Sequence, residues 1–222
     1  MKISSILIMT LAAGALAGAD APKLDGRVQV FAEMYRPAQI NVAAGTNDQP
    51  KMQTGVGFRF LGELASHPGF YYELGGMLDA SSNFTVNNGS TNLTDLKVTD
   101  SYWAIGAAYM ARFGERLTLG AHLEGRGEYL RIQGEAVTPT ASPSPALVDQ
   151  STTYLRPWVR GSADYTFAHV GNDVHPYIGV DLAYAITKTY QTRTPDFNNM
   201  DNRTLCSLAP KASAALYAGI RF

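Results

Sequence analysis

Eight stretches of the chain alternate with a period of two between apolar residues and polar or small ones, the spacing of strands with one greasy and one wet face. The first, Arg27 to Tyr35, sets Val28, Val30, Ala32 and Met34 against Gln29, Phe31 and Glu33. The second, about Met52 to Leu61, sets Val56, Phe58 and Phe60 against Gly55, Gly57 and Arg59. In the third, Phe70 to Ala80, Phe70, Tyr72, Leu74 and Leu78 oppose Tyr71, Glu73, Met77 and Asp79. The fourth, Val98 to Phe113, has Trp103, Ile105, Ala107, Tyr109 and Phe113 on one face, and Tyr102, Gly106, Met110 and Arg112 on the other. The fifth, Leu117 to Ile132, puts Leu117, Leu119, Ala121, Leu123 and Tyr129 opposite His122, Glu124, Arg126 and Glu128. The sixth, Tyr154 to Phe167, pits Val159, Ala163, Tyr165 and Phe167 against Arg156, Trp158, Arg160 and Asp164. The seventh, Pro176 to Thr187, sets Ile178, Val180, Leu182, Tyr184 and Ile186 against Tyr177 and Asp181. The last, Lys211 to Phe222, has Ala212, Ala214, Leu216, Ala218, Ile220 and Phe222 on its apolar face.

The links alternate in length. Ala38 to Pro50, Ser81 to Thr94, Glu135 to Gln150 and Tyr190 to Pro210 are long, polar and irregular, the third carrying Pro139, Pro143 and Pro145. Between them, Ser66 to Gly69, Gly114 to Arg116 and Gly171 to Asp173 are short turns. Antiparallel strands with all long links on one side and all short ones on the other predict an all-β fold, an eight-stranded antiparallel up-and-down transmembrane β-barrel. The apolar parity then faces lipid, with Phe60, Phe70, Phe113, Phe167 and Phe222 near the short-turn end and Trp103, Tyr129 and Tyr184 toward the other. A lipocalin-type soluble barrel would invert the parity, and alternation alone leaves that reading open.

The final strand, ending Tyr217-Ala218-Gly219-Ile220-Arg221-Phe222, resembles the C-terminal signature of bacterial outer-membrane barrels. With the loop lengths and the His175-Pro176-Tyr177-Ile178-Gly179 strand start, nearly all of the chain after its leader is similar to the OmpX-like and OmpW-like families and the membrane domain of OmpA. The resemblance implies Leu216, Ile220 and Phe222 as a signal read by the barrel-assembly machinery. It also implies a place in the bacterial outer membrane with both termini periplasmic, four extracellular loops, and contact with outer-membrane lipid and lipopolysaccharide. A monomer is expected, with no peptidoglycan-binding domain after the barrel.

Composition narrows the classes further. The chain has 222 residues, 45% hydrophobic and 17% charged, so no membrane crossing by apolar helices is expected. A formal net charge of -1 argues against nucleic acid as a partner. The single cysteine, Cys206, offers no disulfide framework. Residues 1–19 read as a signal peptide: Lys2, an apolar run from Ile6 to Leu16, then Ala17-Gly18-Ala19. Residues 20–222 read as the barrel domain.

Strand charges collect on the parity opposite the apolar stripe: Arg27, Arg59, Arg112, Arg126, Arg156, Arg160, Lys211 and Arg221 against Glu33, Glu73, Asp79, Glu124, Glu128, Asp164 and Asp181. An arginine facing lipid at the midplane costs about 2–4 kcal/mol, which drives this sorting. Eight strands enclose a space that side chains fill, so charges of both signs there should pair. Glu73, Arg112, Glu124, Arg126, Glu128, Arg156, Arg160, Asp164 and Asp181 are the expected lumen network, with Glu124, Arg126 and Glu128 meeting Arg156, Arg160 and Asp164. A proton or ion path through the same residues is the functional alternative.

His122 beside Glu124 has the residue types of acid–base chemistry, and some small outer-membrane enzymes that trim lipid A use Ser and His. No serine lies two positions from His122 on its strand, so it reads as structural. His67, His169 and His175 lack metal-ligand spacing. No enzyme, cofactor or metal is expected. The reading is a structural or surface-interaction barrel with a salt-bridged lumen, whose extracellular ligand the sequence does not name. The alternative is an OmpW-like conduit or small porin, with Phe31, Leu61, Met77 and Trp158 lining a pocket; a lipid-modifying enzyme stands behind both.

Overall fold

The computed structural model describes residues 25–35, 52–87, 93–136, 146–168, 174–187 and 209–222. They form β1 (Gly26–Tyr35), β2 (Gln53–Leu64), β3 (His67–Asn87), β4 (Leu93–Phe113), β5 (Leu117–Ala136), β6 (Ala146–Thr166), β7 (His175–Ala185) and β8 (Ala212–Arg221). Each strand pairs antiparallel with its neighbours in the chain, and β1 pairs with β8 from Arg27↔Arg221 to Tyr35↔Ser213, which closes the barrel. Closure removes the sheet edges through the part common to all eight strands. Residues 1–19, expected to be a signal peptide, lie outside the described residues, as do most of the four long links, the expected turn at 171–173, His169 and Cys206.

The parity of the barrel decides its solvent. Val30, Leu78, Leu155 and Leu182 are 63, 64, 67 and 69% exposed, while Arg59 and Arg126 are each 2% exposed. A continuous outward apolar belt is unsuited to water and suited to hydrocarbon. The soluble, inverted barrel is excluded. Phe70, Phe113, Phe167 and Phe222 rim the belt at the short-turn end, and Trp103, Tyr129 and Tyr184 rim it toward the long-loop end.

Tight turns need particular backbone. Gly114, at φ +67°, begins the turn at 114–116, and a side chain there would be strained even though nothing crowds it. The first short link is tighter than expected, with β3 already beginning at His67.

Two expectations are corrected here. β3 runs on to Asn87 and β4 starts at Leu93, while β5 reaches Ala136 and β6 begins at Ala146. Much of Ser81 to Thr94 and the ends of Glu135 to Gln150 are therefore strand, paired as Ser82↔Val98, Asn87↔Leu93 and Gln133↔Asp149. This four-stranded extension stands beyond the apolar belt, where no lipid demands an apolar outer face, so its outward positions carry no greasy stripe. The second correction is Asp79, expected inward. Two residues of β3, Leu78 and Asp79, oppose the single Ser101 of β4 between the pairs Met77↔Tyr102 and Ala80↔Asp100. This β-bulge holds Asp79 at φ +34°, turns it to solvent and puts Ala80 inside.

Candidate functional site

The lumen is where the sequence placed its chemistry, and it is filled by ion pairs and aromatic rings. Nearest the short-turn end, Arg27 of β1 donates to Asp164 of β6 at 3.0 Å, with its guanidinium 5.4 Å from the Tyr177 ring centre and 5.7 Å from that of Tyr71. Above it, Arg59 of β2 reaches across to Asp181 of β7 at 2.6 Å and lies 3.5 Å from Glu73 of β3. Arg160 of β6 is the hub of this level. It bonds Glu73 and Glu124 and lies 3.3 Å from Asp181, so one guanidinium ties four strands together.

Further up, Arg126 donates to Glu124 at 3.0 Å and to Glu33 of β1 at 2.9 Å, and Tyr102 also donates to Glu33. Arg126 lies 4.3 Å from the Tyr102 ring centre and 4.3 Å from that of Trp158, a cation–π arrangement shielded from water. Arg156 then forks onto Glu128 at 3.0 and 2.6 Å, and the Trp158 indole N–H donates to the same carboxylate at 2.7 Å. Beyond this level Val98, Leu130 and Ile132 are fully buried, with Asp100 opposite Leu130 and the Gln53 amide donating to the Val98 carbonyl at 3.2 Å.

Among the described residues, five buried arginines (Arg27, Arg59, Arg126, Arg156 and Arg160) face seven buried carboxylates (Glu33, Glu73, Asp100, Glu124, Glu128, Asp164 and Asp181). Cations are the scarcer partner, and three of the guanidiniums are shared: Arg59 and Arg126 each serve two of these carboxylates and Arg160 three. Of the nine residues expected in the network, eight are buried in the lumen. Arg112 stands apart: its side chain is 46% exposed at the short-turn mouth, bonded to Asp25. It lies one residue from the end of β4, too near the opening to reach the buried carboxylates of the lumen.

The pairing differs in detail from expectation. Arg156–Glu128 and Arg160–Glu124 join β5 to β6 as anticipated. Asp164 instead takes Arg27, and Arg126 takes Glu33, both across the barrel from strands that are not neighbours. Sequence order gives no signal for such pairs. Phe31, Leu61, Met77 and Trp158, the residues of a possible solute pocket, are all packed: the Arg59 guanidinium lies 4.0 Å from the Phe31 ring centre, and Trp158 is flanked by Arg126 and Arg156.

His122 has a serine neighbour after all. Its Nε2 lies 2.9 Å from Ser162 Oγ on β6, and its Nδ1 lies 2.9 Å from Glu73. Searching along the histidine's own strand missed Ser162, because the contact crosses to the next strand. A hydroxyl, an imidazole and a carboxylate in series have the order of a hydrolytic triad. Arg160 Nη2, however, also lies 2.9 Å from His122 Nδ1 and bonds the same Glu73. The His122 side chain is 1% exposed and points inward, away from lipid.

Leu216, Ile220 and Phe222 project from β8 to the outside, 60, 44 and 38% exposed. Among the described residues no cluster of metal-ligating side chains occurs.

No family model matches the sequence, and no curated protein matches it. Solved structures do resemble the barrel. Ail, the attachment invasion locus protein of Yersinia pestis, in complex with the heparin analogue sucrose octasulfate, aligns over 90% of this chain and 100% of its own at a TM-score of 0.50 and 12% identity. A major outer membrane protein of Thermus thermophilus aligns over 89% of this chain and 99% of its own, at 0.47 and 11%. OprG of Pseudomonas aeruginosa aligns over 89% and 95%, at 0.45 and 9%. The fold is that of the small outer-membrane barrels.

Proposed function

We propose that this protein resides in the outer membrane of a Gram-negative bacterium as a barrel closed to solutes, acting as a structural or surface-interaction protein through its four long loops. In this reading residues 1–19 direct export, Leu216, Ile220 and Phe222 are read by the assembly machinery, and both termini face the periplasm. The observation that supports it most is the level of Arg160, where one buried guanidinium is held by carboxylates from β3, β5 and β7. Opening a water path there would separate charges whose pairing compensates for their desolvation. A rigid closed wall leaves surface contacts to the loops and the four-strand extension.

Planar-bilayer recording tests this directly. The purified full chain is expected to give no sustained single-channel currents, and steady currents from the wild type would reject the closed lumen. The conduit reading loses support because its pocket residues are buried, Phe31 and Trp158 against guanidiniums and Leu61 and Met77 among apolar side chains. An enzymatic reading of Ser162 and His122 is disfavoured by the inward ring and by Arg160 occupying both Glu73 and His122. Replacing His122 with Ala is therefore expected to leave lipid A composition unchanged in cells making the protein.

A further inference from the structure

The arginines at the short-turn mouth are not absorbed by the lumen pairs. A cavity of about 490 Å³ opens there, with Arg112, Glu115, Arg116, Thr166, His175 and Arg221 on its wall. Arg112 bonds Asp25, and Arg221 lies 3.8 Å from the same carboxylate, so two guanidiniums on the wall share one counter-charge. Tyr71 also donates to Asp25, at 2.7 Å, and Arg27 lies 3.8 Å from it. Arg116 donates to a neutral group, the Tyr165 hydroxyl, at 2.9 Å. Three guanidiniums thus face the cavity against Glu115 on its wall and a shared Asp25 behind it.

The level of the cavity narrows what could use it. Phe113, Tyr165, Phe167 and Phe222 project outward around the same end of the barrel, 55, 41, 44 and 38% exposed. Aromatic rings at the edge of an apolar belt mark the headgroup layer of a bilayer. Forked guanidiniums match phosphate oxygens, the anionic group that every phospholipid headgroup of that layer carries.

From this we infer that the short-turn mouth binds a phosphate group, and that in the membrane this is the headgroup phosphate of an anionic phospholipid folded over the rim. Arg112 and Arg116 supply the forks, with Arg221 adding field from beneath. The site does not depend on whether the lumen conducts.

The test uses the full chain refolded in neutral detergent micelles, titrated by calorimetry with dihexanoyl phosphatidylglycerol, with inorganic phosphate, and with an uncharged dihexanoyl glycerol. Saturable binding of the phosphatidylglycerol is expected, with none of the uncharged lipid. The double variant Arg112→Gln/Arg116→Gln should bind at least about tenfold more weakly, as expected for loss of charge-assisted hydrogen bonds. Because these residues lie at the mouth, heat-dependent gel mobility should show that the variant still folds. Glu115→Gln, which removes the opposing charge, should tighten binding. Inorganic phosphate binding without binding of the lipid would support the phosphate site but overturn the headgroup assignment. No saturable binding of either, or equal binding by the double variant, would overturn the site itself.

Discussion

Replacing Arg160 with Met tests whether scarce cations hold the lumen together. The side chain is 1% exposed, so methionine fills a similar volume without bringing water. Glu73 would keep Arg59 at 3.5 Å, Glu124 would keep Arg126 at 3.0 Å, and Asp181 would keep Arg59 at 2.6 Å. Each carboxylate retains one cation, yet the buried arginines fall from five to four against seven carboxylates. Removing one member of a buried ionic cluster costs roughly 3–5 kcal/mol, and the retained partners place this case near about 3 kcal/mol. The converse change, Glu124→Gln, keeps the shape and removes one of the surplus carboxylates while Arg126 keeps Glu33 and Arg160 keeps Glu73 and Asp181. It should cost less than about 1.5 kcal/mol, the net worth of an ordinary hydrogen bond. Urea unfolding of protein refolded into phospholipid vesicles, followed by tryptophan emission, gives both values. The asymmetry is the diagnostic quantity. If the two variants agree within about 0.5 kcal/mol, the usual limit of independence between sites, the scarcity argument fails.

Trp158→Phe keeps an aromatic ring beside Arg126 and Arg156 but deletes the N–H donated to Glu128, so the same unfolding assay should lose roughly 1.5–3 kcal/mol, as for a hydrogen bond to a charge. A wild-type midpoint would show that the bond contributes nothing. Gly127→Ala would put a Cβ 2.1–2.4 Å from the Trp103 indole, which lies across that glycine on the lipid face. The indole must move, and quenching by lipids brominated at different depths should report a changed position; an unchanged profile would contradict the packing. On the extension, Arg131 forks onto Asp149 at 2.9 and 2.7 Å, and the hydrogen bond from Arg131 holds the Asp149 carboxyl below its ordinary range. A depressed carboxylate contributes stability above its unfolded titration point and loses it as pH falls through the folded one. Arg131→Gln should therefore shift the Asp149 carboxyl titration, read by carbon NMR in micelles, to higher pH; an identical titration would rule the pair out.

The barrel was legible because lipid enforces one rule at every outward position. Leu117, Leu119, Ala121 and Leu123 on one face of β5, against His122, Glu124, Arg126 and Glu128 on the other, can be sorted without any partner in view. Legibility stopped where the lipid stopped. Ser81, Asn83 and Lys97 are exposed on paired strands, but with water outside nothing required them to be apolar, and they resembled loop residues. Asp79 was lost to a bulge, a one-residue insertion that reverses parity without altering composition. In the site, inwardness was readable and partnership was not. Arg27–Asp164 and Arg126–Glu33 depend on which strands face each other across a narrow tube, and Ser162–His122 on the register of two adjacent ones.

The charged interior also bears on why the strands pair as they do. A side-chain period of two means that a slip of one residue exchanges the two faces of a strand. In a lumen lined with leucine, a slipped strand would still present apolar residues to lipid, and the slip would be cheap. Here a slip of β6 would carry Arg156, Arg160 and Asp164 outward together, and a slip of β5 would do the same to Glu124, Arg126 and Glu128. Each arginine at the bilayer midplane costs about 2–4 kcal/mol, so misregister of β6 alone forfeits several kcal/mol before any lost pairing is counted. Ion pairs are a poor source of net stability once buried. They are a strong source of discrimination between the correct register and its nearest neighbour, and that difference accounts for a lumen built of arginine and glutamate where aliphatic side chains would pack as densely.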